Sequence, residues 1–265
     1  MYIHTRMYFD ACYEDLLFEC CNLLYQLCDA FSVRVCDIFI ICASIQILES
    51  IFVSHCISSP LVLSTASIPM SSIVSTESLN QIFYNAHTAH GFQAKPVDEA
   101  LLHKALELAQ LAPTAYNTCP KRVVFVKSAE GKEKLNKCLM EGNIPQTSEA
   151  PVTAIVCFDT EYIQKLPELS PFFDAKAVFD ANPAWVQPTM VQNGNLQGGY
   201  LILALRAVGL DVGPMSGFDN AAVDAAFLQG TTWKSNFLIN IGHANAEKNY
   251  PRGPRLAFEN ATKFA

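Results

Sequence analysis

Several junctions in this chain carry groups suited to holding a flat, electron-rich ligand rather than to attacking one. Gly213-Pro214-Met215-Ser216-Gly217-Phe218 reads as a Gly-Pro turn leading to a fresh helix start at Asp219. Such a turn exposes backbone amides with no bulky side chain over them, although turn geometry alone also accounts for these residues. Thr114 and Asn117 lie in Pro113-Thr114-Ala115-Tyr116-Asn117-Thr118-Cys119-Pro120. An asparagine amide offers a donor and an acceptor together, while a turn capped by these side chains explains them equally well. Asn143 precedes a proline-containing helix and reads as its N-cap. His87-Thr88-Ala89-His90 has the spacing of a metal pair, but no third ligand recurs nearby, and two polar residues at an exposed helix end explain it as well. Arg252 and Arg255 in the tail read as solvated surface charge.

The elements that must position these groups follow from periodicity. A helix is expected after a Ser/Thr-rich join at residues 71–78, running to about residue 90. Asp98 reads as an N-cap, and Leu101, Ala105, Leu108, Ala109 and Ala112 mark one helix face. Residues 122–126 and 151–158 read as buried strands, with a polar helix over 131–140 between them. Residues 160–185, interrupted by Pro167, Pro171 and Pro183 and rich in aromatics, read as irregular packing or a lid. A long apolar helix spans about 187–208 and ends at Gly209, with Gly194 and Gly198 permitting close packing. Strands at 210–212 and 237–242 enclose a short helix capped by Asp219, and the tail from 244 is extended.

Composition removes other classes. Residues 1–69 hold seven of the ten cysteines, no lysine and seven acidic residues, whereas residues 70–265 carry sixteen basic against eighteen acidic residues. No basic stripe suggests a nucleic acid partner. No Cys-x-x-Cys occurs, so the thiols read as isolated residues of a reducing, cytoplasmic compartment. The longest apolar run, residues 38–48, is too short to cross a bilayer as a helix. No nucleophile elbow and no phosphate-binding Gly-Lys loop is present, and no metal is expected.

In their order along the chain, these segments resemble the FMN-dependent nitroreductase family over roughly residues 72–265. The wording of 195–220 and of Trp233-Lys234-Ser235-Asn236-Phe237 is most similar to its malonic semialdehyde reductase branch of pyrimidine utilisation. The resemblance implies an α+β fold with a mixed central sheet flanked by helices. It implies a homodimer with the flavin in the interface and the C-terminal tail reaching the partner. It implies FMN contacts from His87, Thr88, His90, Pro113, Thr114, Asn117, Asn143, Ser216, Gly217, Arg252 and Arg255. His87 stands where the family carries arginine, Cys119 where relatives often have glutamine, and Gln146 where many have lysine. Hydride arriving at flavin N5 builds negative charge that fixed donors stabilise without reorganising. The implied activity is ping-pong hydride transfer from NAD(P)H, with 3-oxopropanoate reduced to 3-hydroxypropanoate. The alternatives are a broad nitro or quinone reductase and a non-catalytic flavin-binding protein. Residues 1–69 share nothing with the family. They are expected to lie outside the catalytic domain of residues 70–265, as an over-extended reading of the gene or a targeting or tethering segment.

Overall fold

The computed structural model describes residues 73–265, so the expectations for residues 1–69 fall outside the described residues. Contacts divide the chain into Met1–Ser71 and Ser72–Ala265, and all described residues belong to the second unit. Its centre is a four-stranded sheet of β1 (Lys121–Val126), β2 (Val152–Asp159), β3 (Asp211–Met215) and β4 (Trp233–Gly242), in the order β1-β2-β4-β3. The principal helices are α1 (Glu99–Gln110), α2 (Ala129–Asn136), α3 (Ile144–Glu149), α4 (Ala175–Ala181), α5 (Val186–Ala207) and α6 (Asn220–Phe227).

Alternation along the inner strands builds two cores. In β2, Val152, Ala154 and Val156 pack with α1 and α5, while Ile155 and Cys157 pack with α2 and α6. Every residue of β2 is buried, as a strand covered on both faces requires. The α5 helix lies close to the sheet because it has glycine at the contact. A Cβ on Gly194 would stand 2.4 Å from the Phe158 ring, and one on Gly198 would stand 2.7 Å from Phe237. Asp98 caps α1 through Ala100 N at 2.9 Å, and Asp219 caps α6 through Ala222 N at 3.0 Å. The α5 helix ends at Gly209, whose φ of +84° lets Leu210 N reach Leu205 O at 3.0 Å and Gly209 N reach Arg206 O at 3.0 Å.

Several expectations need correction. The helix expected to reach residue 90 stops at Tyr84, after the short turns Thr76–Leu79 and Asn80–Tyr84. Residues 86–92 instead pass beside β3 and then the chain after β4: Thr88 bridges Val212, Ala89 N donates to Val212 O at 2.9 Å, and Phe92 bridges Ala244. Burial of Ala86, Ala89 and Phe92 holds that path. The Gly213-Pro214 pair is not a turn but the middle of β3, with Gly213 opposite Asn240 and Pro214 opposite Ile239. Proline is tolerated there because β3 is an edge strand. Gly213 is needed because a Cβ would meet the Ala89 carbonyl oxygen at 2.5 Å. The strand at 122–126 is half-buried along its middle, being the other edge. The stretch 160–185 is partly helical, containing Leu166–Leu169 and α4. All four strands pair antiparallel, and among the described residues the parallel pairing of the expected mixed sheet is confined to the Thr88–Val212 bridge.

Candidate functional site

The edge strand β3 carries candidate residues at both of its ends. At its C-terminal end, Ser216 and Gly217 leave the sheet, and Asn143, next to α3, folds against them. Asn143 Nδ2 donates to Gly217 O at 2.8 Å, and Met140 N donates to the same carbonyl at 3.0 Å. Gln146 Nε2 donates to Asn143 Oδ1 at 2.8 Å and fixes the amide's orientation. A Cβ on Gly217 would lie 2.3 Å from Asn143 Nδ2, so glycine is what allows this approach. Among the described residues, the backbone amides of Ser216 and Gly217 donate to no protein acceptor. Ser216 is exposed and Gly217 half-buried, so both amides are candidate donors for a ligand.

Beneath α3 lies a buried polar ring. Lys132 Nζ donates to Thr147 O at 3.1 Å and to Thr153 Oγ1 at 2.6 Å. Thr153 Oγ1 donates to Asn240 Oδ1 at 2.7 Å, and Asn240 Nδ2 returns to Thr147 Oγ1 at 3.0 Å. This ring ties α3 to β2 and β4, and with it Asn143 and Gln146. Burial pushes the Lys132 ammonium down to about 8. Sequence reasoning passed over these residues. The available signal was a threonine and an asparagine, Thr153 and Asn240, inside otherwise apolar strands.

At the N-terminal end of β3, Thr88 sits beside Val212. Thr88 is exposed and His87 half-buried. The His90 amide donates to Asn249 Oδ1 at 3.3 Å, and its ring meets Tyr250 edge-on at 4.6 Å. Arg252 Nη2 reaches the carbonyls of Tyr84 at 3.0 Å and Ala86 at 2.6 Å, next to His87. Arg206 Nη1 donates to Ile82 O at 3.3 Å in the same region. Burial, then the Arg252 charge, pushes the Arg206 guanidinium down. Arg252 thus holds the carbonyls of the segment leading into His87, and Arg206 holds that of Ile82 one turn earlier. Val212 and Ser216 are four positions apart along the chain, a span of about 13 Å at the usual strand rise.

The remaining candidates are not brought to this edge. Pro113, Thr114 and Asn117 precede β1, across the sheet from β3 and about 14 Å away at the usual strand spacing. There Thr114 Oγ1 accepts from Cys119 N at 3.2 Å and Asn117 Nδ2 donates to Leu169 O at 2.7 Å. Tyr116, Asn117 and Cys119 hold φ of +52°, +53° and +40°, left-handed values that only a well-anchored turn sustains in residues other than glycine. Arg255 is exposed and turns its guanidinium onto the carbonyls of Gly253 and Pro254.

Comparison with known proteins decides the family. The nitroreductase family model matches residues 85–243. This chain belongs to the nitroreductase family. It is 50% identical over 196 residues to a Stenotrophomonas maltophilia protein provisionally named an NADH dehydrogenase/NAD(P)H nitroreductase, covering 74% of this chain and 100% of that one. A Stutzerimonas stutzeri protein of the same provisional name is 48% identical over 192 residues, covering 72% of this chain and 98% of its own. Among solved structures, a nitroreductase family protein from Streptococcus pneumoniae superposes with a TM-score of 0.62 at 25% identity, over 71% of this chain and 98% of that one. A provisionally assigned nitroreductase from Exiguobacterium sibiricum, described as in complex with FMN, superposes with a TM-score of 0.60 at 20% identity, over 74% and 100% of the two chains.

Proposed function

We propose that this nitroreductase-family protein is an FMN-dependent NAD(P)H oxidoreductase working by ping-pong hydride transfer, with 3-oxopropanoate as its acceptor. The observation that carries the proposal is the pair of donor sets along β3. Open amides of Ser216 and Gly217 stand with the Asn143 amide at one end. A hydroxyl, a histidine and two guanidinium groups gather at the other. Those are the chemistries needed by the two ends of a flavin mononucleotide: polar edge atoms on the ring and a dianionic phosphate. The NAD(P)H in the names of the relatives agrees with the reductant, and the FMN described with the Exiguobacterium structure agrees with the cofactor.

Bound FMN would supply two-electron exchange between nicotinamide and acceptor. The chain's own contribution is placement and charge. The Ser216 and Gly217 amides and Asn143 Nδ2 are fixed donors, held by Gln146 and by the Lys132 ring, and need not reorganise as negative charge develops near them. Thr88, with His87 and Arg252, would hold the phosphate. In balance, 3-oxopropanoate, NAD(P)H and a proton give 3-hydroxypropanoate and NAD(P)+.

Thr114 and Asn117 stand on the opposite sheet edge from Ser216 and Gly217, so one chain cannot fold both groups around one ring. We infer a homodimer in which the β1 edge of one copy completes the β3 edge of the other. The exposed tail with Leu256, Phe258 and Phe264 is suited to reach that partner.

A second reading, a broad nitro or quinone reductase, is favoured by the exposed Tyr116 ring stacked on Phe173 at 6.0 Å, a surface suited to flat aromatic acceptors. The purified protein should be yellow and release FMN on denaturation. NAD(P)H oxidation with 3-oxopropanoate faster than with nitroaromatics supports the first reading, and the reverse order supports the second. Bound flavin without NAD(P)H turnover on any acceptor leaves only a flavin-binding protein. A colourless protein that cannot be reconstituted with FMN rejects the whole proposal.

A further inference from the structure

Beneath the turn that precedes β1, three buried polar groups have no hydrogen-bond partner among the described residues: Thr118 Oγ1, Lys121 Nζ and Gln197 Nε2. Thr118 and Gln197 are 0% exposed and Lys121 is 4% exposed. They share one corner of the fold. Gln197 Oε1 accepts from Lys121 N at 3.0 Å, and Thr118 lies three residues before Lys121 on the incoming turn. Strand alternation places the Lys121 side chain on the same face of β1 as Val123 and Phe125, which pack against the core under α1 and α5.

Among the described residues no acceptor answers these donors. Asp159, whose backbone N donates to Pro120 O just before β1, has its carboxylate held by Arg122 at 2.7 Å. The Cys119 thiol donates to Asn117 Oδ1 at 3.3 Å and pairs with Thr114 Oγ1 at 3.7 Å. Burial pushes the Lys121 ammonium down to about 8, against the nearby Cys119 and with the nearby Arg122, so at neutral pH it keeps its charge. Buried donors in folded proteins are satisfied by protein, water or an ion, and a buried charge is paired.

We propose that this corner binds a small monovalent anion of halide size, held by the Lys121 ammonium, the Gln197 amide and the Thr118 hydroxyl. The donor balance favours an anion over water. The ammonium and the amide nitrogen can only donate and the hydroxyl can donate as well, which suits a halide, a group that only accepts. The anion would brace the turn in which Tyr116, Asn117 and Cys119 are held at positive φ.

The full-length protein is melted at constant ionic strength in sodium gluconate, with gluconate replaced stepwise by chloride or bromide. A crystal is soaked in sodium bromide for anomalous scattering. Halide is expected to raise Tm saturably by about 3 °C or more, and Lys121→Met removes that dependence. Bromide should appear within contact of all three donors. If Lys121→Met does not fold, Thr118→Val serves in its place and should weaken the halide dependence while melting cooperatively. A wild-type Tm indifferent to the anion overturns the proposal, as does a water occupying the corner at every bromide concentration. A bromide peak without halide-dependent melting marks an adventitious ion only and overturns it too.

Discussion

At the scale of single residues, the site is governed by how closely Asn143 approaches Gly217. The 2.8 Å bond from Asn143 Nδ2 to Gly217 O exists only because no Cβ stands in the way. Gly217→Ala would put a methyl 2.3 Å from that nitrogen and displace the amide. One hydrogen bond of this kind contributes about 1 kcal/mol, so Gly217→Ala and Asn143→Ala should each weaken FMN binding about five- to tenfold. Titrating apoprotein by quenching of flavin fluorescence measures this. The two changes act on one contact, so the double variant should bind FMN no worse than Asn143→Ala alone. Additive losses would show that Gly217 serves the flavin by another route.

At the scale of elements, the glycines of α5 set the helix-to-sheet distance. Gly194→Ala and Gly198→Ala drive a methyl into the Phe158 and Phe237 rings and should each cost about 1–3 kcal/mol. Gly199 has nothing within 4 Å of its would-be Cβ, so Gly199→Ala should raise stability by about 0.5–1 kcal/mol through helix propensity. Thermal melting of the three variants checks the order, and equal losses in all three would refute it. These glycines, the Asp98 and Asp219 caps and the Gly209 stop were legible because each acts on its immediate neighbours or on a helical period. The segment at 86–92 was misread because its alanines suit a helix, while the path is dictated by β3, more than a hundred residues later. Gly213-Pro214 was misread as a turn for a similar reason: local propensity says nothing of a strand's place at an edge. Asn143 and Gly217 were both legible as site candidates, but their contact, like the Lys132 ring, depends on long-range pairing that no local pattern contains.

Over the whole molecule, buried titrating groups of opposite kinds set the pH dependence of stability. Lys121 and Lys132 titrate at about 8 in the fold, below their ordinary 10.5, so the folded state binds fewer protons than the unfolded one between those values. Their contribution therefore favours folding as pH rises from 8 and is lost as pH falls back through 8. Cys157 and Tyr162 are pushed up to about 12 by burial, from 9 and 10, so their contribution falls as pH climbs above 9. Stability should rise from about pH 8, more slowly above about 9, and flatten or fall above about 10. Chemical denaturation across that range tests it. Lys132→Met should reduce the rise, and an unchanged slope would show that Lys132 titrates normally.

Assembly is the last consequence of this architecture. The sheet has two edges, with Asn117 before β1 and Asn143 beside the end of β3, and two strands stand between them. If each flavin is enclosed by the β3 edge of one copy and the β1 edge of the other, a twofold dimer holds two sites, each built from both chains. Asn117→Ala and Asn143→Ala homodimers then carry a damaged group in both sites. In a mixed dimer, one site collects both alanines and the other receives both asparagines intact. Unfolding the two variants together and refolding them should make about half the dimers mixed and restore about a quarter of wild-type turnover. Were each site formed within one chain, every site in the mixture would carry one lesion, and activity would stay at the average of the two parents. Recovery above that average, scaling with the product of the two variants' fractions, separates a shared site from a private one, and its absence refutes the dimer geometry.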